Sequence, residues 1–307
     1  MTQYVLGRLL RIIPVVIILS IFVFSLMHML PGDPITVMLK ESAATSQEAV
    51  QRMRERLGLD DPLPVQYWRF FRDAIRGDFG RSIQTNRPVM GWIWELFPNT
   101  LRLASSAMLF AAIIGLPLGT IAAVKKDTIW DSLSMVLALL GVSMPIFWTG
   151  LLLILLFSIY LQWIPIFSQG FKGLILPSIA LGWSTAAIVA RLVRANLLEI
   201  LREDYVRTAR SKGLKEWLVI AKHAMRNALN SVFTIFGLQF GRLLGGAVIT
   251  ETVFGRQGVG RLAVNGVLKM DFPVVQGTIL IMAISFMLVN LSVDVICAYL
   301  DPRIRYT

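Results

Sequence analysis

The chain has 307 residues, of which 55% are hydrophobic and only 16% are charged, whereas soluble globular domains are about 25% charged. The net charge of +11 does not indicate a nucleic-acid partner, because the basic residues cluster beside apolar runs, where they set membrane orientation. The single cysteine, Cys297, excludes an intramolecular disulfide and a cysteine-based zinc cluster. The high hydrophobic and low charged fractions predict a protein that crosses the membrane several times.

The first apolar run, Ile12–Leu30, follows Arg8 and Arg11. It is long enough to cross a bilayer, which takes roughly 20 helical residues. A cleaved signal peptide is the alternative. The run is long for such a peptide and ends in His-Met-Leu-Pro without a small-x-small cleavage site, which favours an uncleaved first span.

Residues 31–98 are polar and rich in Pro and Gly, and we expect a small folded insert there. The segment Thr45-Ser46-Gln47-Glu48 is typical of a helix-capping box, and apolar residues follow it at helical spacing (Val50, Met53 and Leu57). After Pro62, a second set at helical spacing predicts another amphipathic helix that ends near Gly77 (Val65, Tyr67, Trp68, Phe71 and Ile75).

Five further spans are predicted downstream, at about residues 103–124, 133–160, 174–190, 228–254 and 273–299. Residues 132–171 carry no charge, and this stretch is too long for one helix, so it holds the third span and a short turn. Pro145 lies within the third span and should kink it, because proline removes a backbone donor and clashes with the preceding turn.

The distribution of basic residues predicts the orientation of these six spans. The two termini, Lys125 with Lys126, and the loop 191–227 are expected inside. The insert at 31–98, the turn near Lys172 and the loop 255–273 are expected outside. An even number of spans agrees with two cytoplasmic termini, so we expect a multi-pass protein of the cell inner membrane.

No motif of a soluble enzyme's active site or of a phosphate-binding loop is present in the sequence. Glycines instead recur every four residues in two of the spans. This spacing lets helix backbones approach closely in lipid, so helix packing is the expected role of five glycines (Gly115, Gly119, Gly237, Gly241 and Gly245).

Three ionisable residues, Arg242, Glu251 and Asp294, fall at or near membrane depth. Such groups are costly to bury in lipid and are candidates for a translocation path. A salt bridge at the interface is the alternative for Glu251 and Asp294, which lie near span ends. Arg242 lies deepest, where it faces either a water-filled path or a structural carboxylate.

The stretch Arg191–Arg226 is a charged loop between the fourth and fifth spans, with nine Lys/Arg and four Asp/Glu residues. Glu203 and Asp204 can cap a helix N-terminus, and Gly213 can end that helix. Between them, one helical face is expected to carry Tyr205, Thr208, Ala209 and Lys212. A solvated basic loop that only sets topology is the alternative, but the ordered pattern favours a short docking helix.

The sequence DYVRTARSKGL at 204–214 resembles the cytoplasmic coupling segment of ABC importer permeases. Ala209 and Gly213 keep the last Ala and the Gly of the family pattern, while Arg207 and Thr208 replace its Glu and first Ala. Other blocks along nearly the whole chain resemble the dipeptide/oligopeptide branch (HMLPGDP at 28–34, GDFGRS at 77–82, LPSIALG at 176–182, GLQFGRLLGGAVITETVF at 237–254 and DPRIR at 301–305). One departure is Asn230-Ser231, where relatives tend to have a proline.

The resemblance implies an all-α type I importer permease core of six transmembrane helices with an extracytoplasmic domain between the first two. It implies a heterodimer with a second permease, two cytosolic ATPases that bind ATP and Mg, and an external binding protein; no cofactor is expected in this chain. The residues that would contact the ATPase are Glu203, Asp204, Tyr205, Arg207, Thr208, Ala209, Arg210, Lys212, Gly213 and Leu214. Dipeptides, longer peptides, glutathione or a metal chelate all remain possible substrates.

Two other classes of function are possible. An ion-coupled secondary transporter would use Arg242, Glu251 and Asp294 and would need no ATPase. The hypothesis of an intramembrane enzyme is weakened, because the sequence lacks catalytic motifs. The scarcity of acidic residues in the spans and the docking-helix pattern favour the ABC importer permease.

Overall fold

The computed structural model of the chain describes residues 2–29, 51, 60–165 and 170–300. Within these ranges the chain is built from helices, and the only strand-like pairing is an isolated bridge between Arg81 and Pro88. Helices are expected in a chain this apolar, because lipid offers no partner for an unpaired backbone group.

In the described ranges, six helices of known bounds begin before the charged loop, and the fifth continues as a π-helix at Ile154–Tyr160. Their bounds are α1, Thr2–Met29; α2, Leu63–Ile75; α3, Val89–Val124; α4, Ile129–Ser143; α5, Ile146–Leu153; and α6, Lys172–Ile200.

The remaining helices begin inside the charged loop, and the short α8 continues as a π-helix at Val219–Ala224. Their bounds are α7, Asp204–Ser211; α8, Glu216–Leu218; α9, Met225–Val253; α10, Val259–Leu268; and α11, Phe272–Leu300.

Five helices in the described ranges (α1, α3, α6, α9 and α11) contain apolar segments long enough to cross a membrane, and a bent pair makes a sixth span if it counts as one. The pair is α4 and α5 with its π-helical extension, which meet at 107°. Pro145 stands at this break, as N-cap of α5. The predicted kink is therefore a sharp bend, because proline cannot continue the hydrogen-bond ladder of the preceding helix.

Helix α3 begins at Val89, inside the segment predicted as the polar insert, and not near Leu103, where the second span was predicted to start. The second amphipathic helix of the insert is α2, which ends where Gly77 adopts a positive φ of 78°. Tyr67 of α2 hydrogen-bonds with Ser20 of α1 at 2.9 Å, and Gln66 with His28 at 3.1 Å. The capping box at 45–48 lies outside the described residues.

The described chain divides into two compact units. Unit 1 comprises Met1–Thr100 and Gln257–Met287. Its core brings the start of α3 against α10 and α11, with Phe79, Val89 and Val259 buried. The buried Asp271 accepts hydrogen bonds from the Ser82 hydroxyl at 2.5 Å and the Ile83 amide at 3.0 Å, so segments far apart in sequence are joined.

Unit 2 comprises Leu101–Arg256 and Leu288–Thr307. Its core packs α3, α6 and α9 around buried residues that include Leu103, Leu181 and Leu244. A Cβ on Gly115 would lie 2.7 Å from the carbonyl oxygen of Ala186, and a Cβ on Gly119 would meet the carbonyl oxygen of Ala190. These two glycines therefore permit the close contact of α3 with α6.

The three glycines of α9 occupy different surroundings. A Cβ on Gly237 would collide with Val293 of α11, so the absence of a side chain is required there. Gly241 is buried. Gly245 is exposed, and a Cβ added to it would have no neighbour within 4 Å, so Gly245 makes no close helix contact with the residues that the structure describes.

Candidate functional site

The predicted docking helix is α7, and it lies in the charged loop as expected. Its N-cap is Glu203, but neither the Glu203 nor the Asp204 side chain caps the helix by a hydrogen bond. The Glu203 carbonyl accepts from the Val206 amide at 3.0 Å. The helix ends at Ser211, with Lys212 as its C-cap. Gly213 follows with a φ of +74°, a conformation that glycine adopts without strain.

One side of α7 is fixed to the rest of the loop. Val206 is fully buried and Ala209 is 6% exposed, and both pack against Val219. Leu214 and two residues at the end of α6 cover this cluster. The sequence-based contact face was therefore wrong at Ala209, which points into the loop's own packing, and an arginine there would disrupt that packing.

The opposite side of α7 is exposed and polar. It carries Asp204, Arg207, Thr208 and Ser211, which follow from the positions of Val206 and Ala209 at about 100° per residue. Tyr205 lies on the flank, 40% exposed, and its hydroxyl accepts a hydrogen bond of 2.8 Å from Asn227 of α9. The sequence reasoning missed Ser211, because the inward direction of Ala209 depends on its packing against Val219.

An ion pair holds the end of α7 to α8. Arg210 donates to the two carboxylate oxygens of Glu216 at 2.7 and 3.1 Å. These hydrogen bonds lower the pKa of the Glu216 carboxyl and raise the pKa of Arg210. Arg210 therefore serves the loop's own structure, whereas Lys212 and Arg207 point outward.

A second ion pair, which sequence reasoning missed, joins α4 to α6. Asp131 is buried and accepts hydrogen bonds from the Nε and Nη2 atoms of Arg194, each at 2.7 Å. The Asp127 amide donates to the same carboxylate at 3.2 Å. No sequence spacing links residues 63 positions apart, so only the fold reveals this pair.

The three candidate path residues do not share one environment. Arg242 is exposed, and Glu251 is 1% exposed. Burial lowers the pKa of the Arg256 guanidinium, and the charge of the Glu251 carboxylate opposes this shift. Arg256 also donates to the Gly173 carbonyl at 2.7 Å. Asp294 lies within α11, and its side chain is outside the described residues.

Two family models together match most of the chain. One, described as binding-protein-dependent transport system inner membrane component, matches residues 115–306. The other, for the N-terminal part of membrane components of such systems, matches residues 1–104. The chain belongs to the binding-protein-dependent transport system inner membrane components. It is a permease subunit of an ABC importer and a multi-pass membrane protein, as the sequence predicted.

Two relatives of this permease are similar over its whole length. The glutathione transport system permease protein GsiC of Escherichia coli (strain K12) is 45% identical, and the alignment covers 100% of both chains. The dipeptide transport system permease protein DppB of Alkalihalophilus pseudofirmus is 42% identical, again over 100% of both chains.

Solved transporters share the fold of this permease. A chain of the MetNI methionine ABC transporter, in an inward facing conformation, matches with a TM-score of 0.60 and 19% identity over 69% of this chain and 98% of that chain. An amino acid ABC transporter crystallised with histidines matches with a TM-score of 0.52 and 16% identity over 69% and 94%. The type I permease core expected from the sequence is thereby confirmed.

Proposed function

We propose that the permease forms, with a second homologous permease, the translocation path of an ATP-driven importer of dipeptides or oligopeptides. Its similarity over full length to a dipeptide and a glutathione permease supports a small peptide as substrate. Glutathione is itself a tripeptide with two free carboxylates, so it is the specific second candidate. A metal chelate remains a third possibility without a supporting observation.

The partners follow from the same proposal. Two cytosolic ATPases would bind ATP and Mg and carry out all hydrolysis, while this chain supplies the membrane path. An external binding protein would deliver the substrate to the side that carries α2. In this arrangement the termini, Lys125 with Lys126, and α7 lie in the cytoplasm, which agrees with the positive-inside rule.

The two-sided character of α7 carries the proposal. Its inner side is anchored by Val206 and Ala209 against Val219, while Arg207, Thr208 and Ser211 are exposed. A helix of eight residues is not stable alone in water, since helices below about 12–15 residues are marginal. The anchoring explains how α7 persists, and it leaves the polar side available for an ATPase groove.

A mechanism follows from this anchoring. Nucleotide-driven closure of the ATPases would displace α7 together with the cluster around Val219. The ends of α6 and α9 would move with it, because Leu201 contacts the cluster and Asn227 bonds to Tyr205. The spans would then open to the outside and accept the substrate from the binding protein.

Charge reversal at Arg207 tests the docking side. We expect Arg207→Glu to lower ATP-driven peptide uptake by about tenfold, a loss of about 1.4 kcal/mol of contact energy, which is typical of one charged contact removed from an interface. The side chain is exposed, so the fold should be retained. Uptake and ATP hydrolysis are measured in proteoliposomes that contain all subunits.

The matched control is Lys126→Glu, which makes the same charge change on the exposed turn between α3 and α4. It should leave uptake within about twofold of the unmodified transporter. If Arg207→Glu transports as well as this control, α7 is not the docking element. Uptake by the permease without ATPases, driven by an ion gradient, would instead support a secondary transporter.

The substrate is best identified through the binding protein. The cognate binding protein would be purified without denaturation, and its bound ligand identified by mass spectrometry. A bound dipeptide, longer peptide or glutathione would support the proposal and would identify which of these the importer carries. A metal chelate in its place would contradict the assignment to peptides while leaving the transporter class unchanged.

A further inference from the structure

One face of α9 is exposed along the whole length of the span. Its residues are spaced three or four positions apart, so they form a single stripe along the helix (Thr234, Leu238, Arg242, Gly245, Ile249 and Thr252). The opposite face is buried in unit 2, where Leu243, Leu244 and Ala247 belong to its core. The stripe is therefore the side of α9 that the described residues leave uncovered.

Arg242 places a charge in the middle of this stripe. The apolar part of α9 runs over 22 residues, Val232–Val253, and Arg242 lies at its centre. Among the residues that the structure describes, none forms a hydrogen bond or ion pair with the Arg242 guanidinium. An arginine at this depth is strongly disfavoured against lipid tails, so the Arg242 side chain faces water or another polar surface.

Gly245 lies one turn from Arg242 on the same stripe and leaves open space. A Cβ added there would have no neighbour within 4 Å. Arg242 therefore borders a gap on the stripe, which we call the recess, and none of the described residues fills it. A planar guanidinium matches a carboxylate with two parallel hydrogen bonds, which makes a carboxylate the best-fitting ligand.

We propose that Arg242 and the recess at Gly245 form a site in the translocation path that binds the C-terminal carboxylate of the transported peptide. The inference rests on the proposed peptide importer function and adds the group by which the membrane path holds its substrate. Every linear peptide has such a carboxylate, with an ordinary pKa of about 3.3–3.7, so it is charged at neutral pH. One cation can therefore serve peptides of any side-chain composition.

The experiment measures charge selectivity at the recess without relying on the binding protein's own preferences. Gly245→Cys is introduced together with Cys297→Ser, which removes the chain's native thiol. The open space around Gly245 accommodates the new side chain. Its reaction rates with a negatively and a positively charged methanethiosulfonate reagent are compared in the reconstituted transporter, whose other subunits lack reactive thiols.

We expect the anionic reagent to react roughly tenfold faster than the cationic one, relative to their rates with a free thiol, because a unit charge lies one helical turn away. Arg242→Gln should remove this preference, and Arg242→Lys should restore much of it. Saturating binding protein and the dipeptide alanyl-alanine should slow the anionic reagent severalfold while Arg242 is present.

Each other result overturns the inference in a recognisable way. No reaction with either reagent would show that the stripe is packed against protein or lipid. Equal rates would show that Arg242 is neutralised, as by a carboxylate of the second permease. A preference that persists in Arg242→Gln would assign it to other groups.

Failure of the proposed function has a different signature. If the anionic preference depends on Arg242 but alanyl-alanine gives no protection, the path selects anions and the peptide assignment fails. If Arg207→Glu leaves transport intact while the preference and protection are observed, the ATPase docking element is wrong and the carboxylate site stands.

Discussion

At the scale of single residues, the described structure distinguishes charges that hold the permease together from charges left for partners. Asp131 with Arg194 and Arg210 with Glu216 are bidentate pairs within the chain. Arg242, by contrast, is unpaired within the described residues. The paired residues should therefore affect stability when changed, whereas the unpaired one should affect transport.

Asp131→Asn should destabilise the permease, because it leaves Arg194 without its counter-charge. Breaking a fully buried pair costs about 3–5 kcal/mol; Arg194 is 27% exposed, so we expect about 1–3 kcal/mol. A lower melting temperature of the detergent-purified complex would report this loss. The control, Asp73→Asn, breaks an exposed pair with Arg72 and should change stability by less than about 0.5 kcal/mol. Equal melting temperatures for both variants would contradict a structural role for Asp131.

The Arg210–Glu216 pair predicts a loss of order in the loop at acidic pH. Arg210 lowers the pKa of Glu216 below its ordinary value near 4.5, so the pair stabilises the loop fully above that value. The stabilisation is lost as the pH falls through the lowered pKa of the folded state. The side chains are half exposed, so the effect is small.

Backbone hydrogen exchange of α7 between pH 6 and pH 3 tests this prediction, after correction for the intrinsic pH dependence of exchange. Protection of α7 should fall with pH in the unmodified chain and should be low and nearly independent of pH in Glu216→Gln. The control is Glu203→Gln, since the Glu203 side chain makes no capping bond. A fall in protection that persists in Glu216→Gln would assign the effect to another group.

At the scale of helices, the contact of α3 with α6 depends on the absence of side chains. Gly115→Ala places a Cβ 2.7 Å from a backbone oxygen of α6, which cannot move aside as a flexible side chain can. We expect a destabilisation of about 1–3 kcal/mol, as for other overpacked sites, and a matching loss of uptake. Thermal unfolding and uptake by the reconstituted transporter measure the two effects.

Gly91→Ala is the matched control, because it lies on the same helix with nothing within 4 Å of the added Cβ. Alanine favours a helix over glycine by up to about 1 kcal/mol, so this control should be neutral or stabilising. If Gly115→Ala is equally well tolerated, the close approach of the two helices is not required for the fold.

At the scale of the whole chain, the spans were predictable because hydropathy alone identifies helices that lipid can accommodate. The end of α7 was predictable because Gly213 is adapted to positive φ. The inward direction of Ala209 could not be predicted from the sequence, because Val219, which it packs against, lies beyond a turn. The Asp131–Arg194 pair could not be predicted either, because only the packing of α4 on α6 brings the two residues together.

The start of α3 also changes how the polar insert is understood. Val89, Ile93 and Leu96 fall inside the predicted insert, yet they are core residues of unit 1. Removing residues 31–98 would delete this core along with any surface that receives the binding protein. A deletion that probes reception must therefore retain the chain from Phe79 onward.

The packing of Val206 and Ala209 on Val219 has a consequence for exchanging coupling loops between transporters. A chimaera that receives only Asp204–Ser211 would carry a helix whose apolar side fits the donor's π-helix at Val219–Ala224 and not the recipient's. The smallest transferable module therefore extends from Ile200 through Ala224, which includes Leu214, Val219 and the Arg210–Glu216 pair. Specificity for an ATPase would travel with the exposed residues, but only when their support is transferred with them.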